Sequence, residues 1–142
     1  MKVNQLAKNV GVTSDTVRYY TRIGYLTPKK NSLNGYREYD ESDQQRLRFI
    51  LSARQLGFSV IDIGHILAEA GKGKSPCPMT RHLMEKRLNE TERRFLETVA
   101  LRKKMKAAVR AWKNKPDKVP TGKMICHLIE EFNYKPCEEP SR

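Results

Sequence analysis

Three cysteines and one histidine are the side chains of this 142-residue sequence best suited to hold a metal ion. Cys77 stands between two prolines, Cys126 is followed directly by His127, and Cys137 lies close to the last residue. Thiolate and imidazole are ligands that Zn(II) and related thiophilic ions favour. The sequence begins without the apolar core of a signal peptide, so a cytoplasmic location with reduced thiols is expected. The pattern predicts free thiols or metal ligands rather than disulfides.

Two other interpretations of these residues stay open. A lone cysteine on an apolar face is more often a small hydrophobic side chain than a ligand. Neighbouring residues of a helix point about 100° apart, so Cys126 and His127 need not face one site. The alternative to a metal is therefore a small organic or thiol-reactive molecule.

A second set of polar residues has the chemistry of a nucleic-acid interface. Arginine can donate two hydrogen bonds to a guanine edge, and hydroxyl groups suit phosphates and bases. Candidates cluster at positions 14–22 and 29–37, and they are Ser14, Thr16, Arg18, Tyr19, Tyr20, Arg22, Lys29, Lys30, Tyr36 and Arg37. One of the two adjacent tyrosines is expected to be partly buried in the core instead.

The elements that must position this set form a compact block over residues 1–70. Two short helices joined by a turn at Gly11 are typical of a helix-turn-helix, and the second is predicted from Ser14 to about Ile23. Asn34–Gly35 is a strong hairpin signal, so the segments around it are expected to pair as a small wing. Asp40 and Ser59 are predicted to cap two further helices, which end near Gln55 and Glu69. The expected fold is mainly α, with a winged helix-turn-helix at its N-terminus.

A single long helix is predicted over residues 79–114, after a linker at 71–78 and before an effector loop, short helix and tail at 115–142. Between Met79 and Lys113 the sequence has no proline or glycine. Alternating spacings of four and three residues mark a coiled-coil seam of Met84, Leu88, Thr91, Phe95, Thr98, Arg102, Met105, Val109 and Trp112. Such a helix is about 50 Å long at about 1.5 Å per residue, and the chain offers no second helix to cover it. The partner is therefore expected to be another copy, in a homodimer.

The long helix also separates the thiols. Within one chain, Cys77 and Cys126 lie at opposite ends of it, about 50 Å apart. If two such helices pair antiparallel, Cys77 of one chain meets Cys126 and His127 of the other. Two thiolates and an imidazole at that interface suit Zn(II) or a closely related ion.

Charge and composition narrow the function classes. The formal net charge is +12, from 28 basic and 16 acidic residues, which favours a polyanionic partner. Residues 1–70 carry only 10 basic and 7 acidic side chains, so most of the excess lies further along the chain, where a solvated helix face is the simpler explanation. The sequence contains no apolar run of about 18 residues, which is the length that would predict a membrane span. It also contains no phosphate-binding glycine loop and no nucleophile motif that would predict an enzyme. A non-specific architectural DNA-binding protein is the rival class.

Several motifs together resemble the signature of the MerR family of transcription regulators. They cover residues 1–70 without a gap, and the long helix and short tail extend the resemblance. The motifs are Thr16-Val17-Arg18-Tyr19-Tyr20, Gly24-Tyr25-Leu26, Asn34-Gly35-Tyr36-Arg37-Glu38-Tyr39 and Arg54-Gln55-Leu56-Gly57-Phe58-Ser59.

This resemblance implies a winged helix-turn-helix joined to an antiparallel dimerisation helix. It implies a dimer bound to double-stranded promoter DNA that twists and shortens the DNA for RNA polymerase when a signal arrives. Arg18, Tyr19 and Tyr20 would contact DNA from the helix, and Tyr36 and Arg37 from the wing.

The resemblance also bears on the thiols. In metal-responsive members, a cysteine before the long helix and others after it bind the ion, which matches Cys77 and Cys126. Those members typically carry another cysteine near the end of the long helix, whereas this sequence has none between residues 78 and 125. The third ligand would be His127, Cys137 or His82.

Overall fold

The computed structural model describes residues 1–135, so the candidate ligand Cys137 lies outside the described residues. In that part the elements are α1 (Val3–Val10), α2 (Ser14–Arg22), β1 (Lys29–Lys30), β2 (Arg37–Glu38), α3 (Glu41–Gln55), α4 (Val60–Gly71), α5 (Cys77–Trp112) and α6 (His127–Glu130). The chain divides into two units, Met1–Leu88 and a second that starts at Asn89. A mainly helical fold with one long helix after an N-terminal helix-turn-helix confirms the predicted class.

The turn between α1 and α2 has the glycine that the sequence predicts. Gly11 adopts φ 80°, in the left-handed region that suits glycine, and its N–H donates to the Ala7 carbonyl oxygen at 2.9 Å. Thr13 then caps α2, because its hydroxyl accepts a hydrogen bond from the Thr16 N–H. The second helix ends at Arg22, and Ile23 is its C-cap rather than its last residue.

The wing consists of β1, β2 and the loop between them. Lys29 pairs with Glu38 and Lys30 with Arg37 in antiparallel register. The loop is longer than a two-residue hairpin, because it closes where the Asn31 N–H donates to the Tyr36 carbonyl oxygen at 2.7 Å. The Asn34 side chain accepts from the Tyr36 N–H inside this loop. The predicted wing is present, with a wider tip than the Asn34–Gly35 pair implies.

Both predicted caps of the next two helices are confirmed. Asp40 accepts from the Asp43 N–H at the start of α3, and Ser59 accepts from the Asp62 N–H at the start of α4. In return, the Asp43 carboxylate accepts from the Asp40 N–H and the Asp62 carboxylate accepts from the Ser59 N–H, so each helix start has a complete capping box. These boxes fix where each helix begins.

One apolar core holds the first unit together. Leu6 from α1, Val17 from α2 and Ile50 from α3 are fully buried in it, and residues from α4 join them. The wing is tied to the same unit, because the Tyr39 N–H donates to the Met1 carbonyl oxygen at 2.7 Å. The Tyr39 hydroxyl also lies 2.7 Å from that of Thr21, so α2 and the end of the wing are linked by a direct contact as well as by the loop between them.

The long helix begins two residues earlier and ends two residues earlier than the sequence predicts. The Pro76 carbonyl oxygen accepts from both the N–H and the hydroxyl of Thr80, which places the helix start at this point. Pro78 is well tolerated in the first turn, because the N–H groups of a first turn have no partner within the helix. Cys77 is therefore the first residue of α5 and not part of the linker. No helix in the described part of the chain is long and apolar enough to cross a membrane.

Candidate nucleic-acid interface and effector end

The second helix presents a polar face to solvent and an apolar face to the core. Val17 and Tyr20 are buried, at 0% and 6% relative exposure, while Arg18, Tyr19 and Arg22 are exposed. Val17 and Tyr20 are three residues apart, which places them on the same side of a helix. Arg18, Tyr19 and Arg22 are thereby turned toward solvent.

Tyr20, predicted among the DNA contacts, is the tyrosine of the pair whose ring packs in the core, 5.1 Å from the ring of Tyr19 and 6.4 Å from that of Tyr25. The buried ring anchors α2, as expected for one of the two tyrosines, and a contact of Tyr20 with DNA stays a prediction. Tyr19, at 37% exposure, is the tyrosine of the pair that faces solvent.

A groove of about 360 Å³ brings the helix and the wing together. Arg18 of α2 and Tyr36 and Arg37 of the wing, all predicted DNA contacts, line it together with Gly35. Lys2, Val3 and Asn4, at the start of α1, complete it. Three cationic side chains converge there, which is the chemistry that binds a phosphate backbone.

Lys2 is a member of this groove that sequence reasoning missed. Its ammonium lies 5.3 Å from the centre of the Tyr36 ring, within the range of a cation–π contact. No motif in the sequence marks Lys2, because contacts of Met1 with Glu38 and Tyr39 bring the start of the chain to the wing. Lys2 adds a third positive charge to those of Arg18 and Arg37.

The remaining helix candidates lie around Arg18. Arg18 forms an ion pair of 3.0 Å with Asp15, and both side chains are more than half exposed, so the pair is weak and easily exchanged for DNA. The Arg22 guanidinium lies 5.5 Å from the Tyr19 ring centre. Ser14 donates to the Asn4 side chain at 2.7 Å, and the Thr16 hydroxyl is paired with that of Thr13. Ser14 and Thr16 therefore also help to fix α2 against its neighbours.

The wing cations Lys29 and Lys30 are exposed on β1. They do not line the groove, whereas Arg37 on β2 does. Tyr36, at the end of the wing loop, is 61% exposed. The wing thus offers a tyrosine and an arginine beside α2 and two further lysines on its other strand.

The thiol-bearing end of the second unit is built around Trp112 and α6. The Trp112 indole N–H donates to the Leu128 carbonyl oxygen at 2.9 Å, and its ring meets Phe132 edge to face. Trp112 therefore packs on the chain's own tail, and its place in the coiled-coil seam stays a prediction. Met105 and Val109, the two seam positions that precede Trp112 on α5, stay exposed.

Cys126 is the N-cap of α6 and is partly exposed. Its N–H and that of Ile125 both donate to one carboxylate oxygen of Glu130, at 2.8 and 3.0 Å. The backbone that leads into Cys126 is thus held by one side chain. Cys77, in the first unit, is exposed at the start of α5.

His127 is 4% exposed and has hydrogen-bond partners at both ring nitrogens. Nε2 lies 2.9 Å from the Pro116 carbonyl oxygen and Nδ1 lies 3.4 Å from a Glu131 carboxylate oxygen. Both partner oxygens can only accept, so Nε2 donates to Pro116, and Nδ1 is open to an ion only if its longer contact with Glu131 is given up. In this conformation His127 braces the loop before α6 rather than presenting an open ligand.

Within residues 1–135, no three histidine, cysteine, aspartate or glutamate side chains lie together as a metal-binding group. His82, the other candidate third ligand in this part of the chain, is exposed on α5. A complete ligand set would need side chains from a second copy or from residues 136–142.

Comparison with known proteins places this arrangement in a family. Residues 1–70 match the family described as MerR HTH family regulatory protein, and residues 44–108 match the one described as MerR, DNA binding. The chain belongs to the MerR family. It is a DNA-binding transcription regulator of that family, as the resemblance in its motifs predicts.

Individual MerR-family relatives support the assignment. The HTH-type transcriptional regulator ZntR of Escherichia coli (strain K12) is 35% identical over 105 residues, which is 73% of this chain and 74% of ZntR. The HTH-type transcriptional regulator HmrR of Rhizobium leguminosarum bv. viciae is 30% identical over 135 residues, which is 94% of this chain and 98% of HmrR. The similarity to HmrR extends beyond the DNA-binding part.

A solved structure shows the same fold over most of the chain. The crystal structure of the transcription regulator PbrR691 from Ralstonia metallidurans CH34, in complex with lead(II), has a TM-score of 0.73 at 23% identity. The match covers 93% of this chain and 99% of that one. The fold shared with that structure therefore includes α5 and most of the segment after it.

Proposed function

We propose that this chain is a sequence-specific regulator that binds promoter DNA as a homodimer and distorts it in response to an effector. The observation that carries the proposal is the groove in which Arg18 of α2, Arg37 of the wing and Lys2 converge. Such a groove suits a phosphate backbone, while Arg18, on the exposed face of α2, also suits a base edge. No catalysed reaction is part of this function, and its site is the cytoplasm, where RNA polymerase meets the promoter.

The apolar face of α5 supports the homodimer. Leu88, Phe95, Met105 and Val109 are 54%, 66%, 57% and 68% exposed, which is costly in water unless another surface covers them. Their spacings of seven, ten and four residues are sums of the alternating four- and three-residue steps of a coiled-coil seam. A second copy supplies a matching helix.

Charges along α5 support an antiparallel pairing. All four acidic side chains of α5 lie within residues 85–97, whereas residues 98–112 hold five basic side chains and no acidic one. A parallel dimer would bring the two basic halves together, and like charges repel. In an antiparallel dimer the glutamates of one copy approach the basic half of the other.

An aspartate at position 95 tests the dimer. Phe95→Asp places a charge in the seam and should give monomers that bind DNA poorly, as sedimentation and operator binding would show. Leu96→Asp is the matched control, since Leu96 is equally exposed at 66% but lies one position away from the seam. A wild-type protein that sediments as a monomer at micromolar concentration would contradict the proposal.

For the effector we propose a thiophilic ion such as Zn(II), shared between chains. The support is the pair of accessible thiols, with Cys77 at the start of α5 and Cys126 at the N-cap of α6, and the lead(II) complex of the similarly folded PbrR691. When bound, the ion would link the start of one long helix to the α6 segment of the other. Cys137 or His127 Nδ1 is the candidate third ligand.

A mixed dimer tests the shared site. One subunit carries Cys77→Ser and the other Cys126→Ser. If each site takes one thiol from each chain, one site of this dimer keeps both thiolates and the other keeps none, so one Zn(II) should bind tightly. Sites confined to one chain would both lose a thiolate, and no Zn(II) would bind tightly.

A different effector, or a non-specific architectural DNA-binding protein, would give different results in metal-binding and DNA-binding measurements. A protein that binds no Zn(II), but whose operator complex changes when Cys77 or Cys126 is alkylated, would point to a small organic or thiol-reactive signal. Equal affinity for a selected operator and for random DNA would point to a non-specific architectural protein.

A further inference from the structure

Asp62 of α4 and Arg87 of α5 form an ion pair with two hydrogen bonds. Arg87 Nε donates to Oδ2 at 2.5 Å and Nη2 donates to Oδ1 at 3.0 Å. Arg87 Nη2 also donates to the Ser59 hydroxyl at 3.2 Å. The Asp62 side chain is 5% exposed and that of Arg87 is 25% exposed, so water screens the pair only weakly. We call these three side chains the α4–α5 clasp.

The other connections between α4 and α5 constrain the angle between the two helices less than this ion pair does. The chain between them is only residues 72–76, and Gly73 within it adopts φ 75°, in the left-handed region. Leu83 and Met84 of α5 pack against the core of the first unit. Apolar packing of this kind is non-directional, so it permits small rotations of a helix. A guanidinium–carboxylate pair with both bonds made fixes angle as well as distance.

The clasp also reaches the start of α4. Asp62 Oδ2 accepts from the Ser59 N–H at 3.0 Å while it holds Arg87, so the capping box of α4 and the ion pair share one carboxylate. A change at Asp62 would disturb the helix start as well as the pair. Arg87 is therefore the residue whose replacement isolates the link between the helices.

We propose that Arg87 is a positioning residue, which holds the start of α5 at a fixed angle to the DNA-binding domain and thereby sets the half-site spacing that the dimer accepts. This rests on the proposed homodimer. In a dimer joined through α5, the angle at which each α5 leaves its DNA-binding domain determines how far apart the two α2 helices stand. One base pair changes the separation of two half-sites by about 3.4 Å and their relative rotation by about 35°. A rigid link should discriminate against such a change, and a loose link should tolerate it.

The test uses an operator duplex selected from random DNA by the wild-type protein. Affinity is measured for this duplex and for versions with one or two base pairs added to or removed from the centre. We expect the wild type to bind the altered spacings about tenfold more weakly or worse, and Arg87→Met to lose most of that preference. Arg81→Met is the matched control, because Arg81 is an exposed arginine of the same helix, and it should keep the wild-type preference.

The possible results distinguish a role of Arg87 in half-site spacing from a failure of the proposed dimer. If Arg87→Met weakens binding to every spacing by the same factor, the residue only stabilises the fold and the inference is overturned. If Arg87→Met does not fold, Arg87→Lys, which keeps the charge but cannot make both bonds to Asp62, must show a reduced preference; an unchanged preference overturns the inference. A wild type that binds all spacings equally overturns the proposed dimeric mode of DNA binding, and this inference with it.

Discussion

The indole of Trp112, the last residue of α5, donates a hydrogen bond to the carbonyl oxygen of Leu128 in α6. Leu128 follows Cys126 and His127 by two residues and one residue, so the bond links the end of the long helix to the thiol-bearing segment. Glu130 fixes the backbone at Cys126. A movement of that thiol toward a ligand should therefore change the surroundings of the indole. Trp112 is also the only tryptophan of the sequence.

Tryptophan emission should therefore report effector binding. We expect Zn(II) added to the reduced wild-type protein to change the intensity or wavelength of Trp112 fluorescence, with saturation near one ion per chain. Cys126→Ser should abolish the response without changing the spectrum of the metal-free protein. A full response in Cys126→Ser would contradict the proposed involvement of this thiol.

Arg18→Ala should weaken operator binding by about 1–3 kcal/mol and relax the preference for one base in each half-site. The physical reason is the loss of a guanidinium on the exposed face of α2, where it can donate to a base edge. Affinity for the operator and for its single-base variants measures the effect. An equal loss on operator and random DNA would mean that Arg18 contacts only phosphate.

Lys2→Ala should weaken binding to all DNA sequences and make it less sensitive to salt. Each phosphate contact that is lost lowers the slope of log affinity against log salt by about one. Titrations at several salt concentrations, on operator and on random DNA, would show this. Lys8→Ala is the control, since Lys8 lies on α1, which Lys2 precedes as the N-cap, but does not line the groove. An unchanged slope for Lys2→Ala would place Lys2 outside the interface.

The stability of the first unit should depend on the ionisation of Asp62. Hydrogen bonds from Arg87 lower the pKa of this carboxyl from its usual 3.8 to about 2, despite its burial. A lowered pKa stabilises the folded state above about pH 4, and this contribution is lost as the pH falls toward 2. It amounts to about 2 kcal/mol near neutral pH.

Urea unfolding at constant protein concentration tests this contribution. Asp62→Asn should be less stable than the wild type at pH 7, and the gap should narrow between pH 4 and pH 2.5. Asp43→Asn is the matched control, since Asp43 fills the same position in the capping box of α3 but has no arginine partner in the described contacts. A gap that does not change with pH would show that the Asp62 charge is not what stabilises the pair.

Local patterns in the sequence determined much of this protein. Gly11, Thr13, Asp40 and Ser59 act through neighbours within four residues, so the helix boundaries that depend on them could be predicted. The long helix followed from composition and from the absence of proline and glycine. The family could be recognised because its motifs occur in one unbroken order over residues 1–70.

Tertiary structure decided which of those residues face the same place. Tyr19 and Tyr20 are chemically alike, and only the packing of α2 puts one in solvent and the other in the core. Lys2 reaches the groove, and Arg87 reaches Asp62 across 25 residues, through contacts between elements far apart in sequence. Trp112 fits the seven-residue repeat of the seam, yet its indole bonds to the tail. Periodicity fixes only the direction in which a side chain leaves its helix, whereas its partner depends on how the whole chain folds.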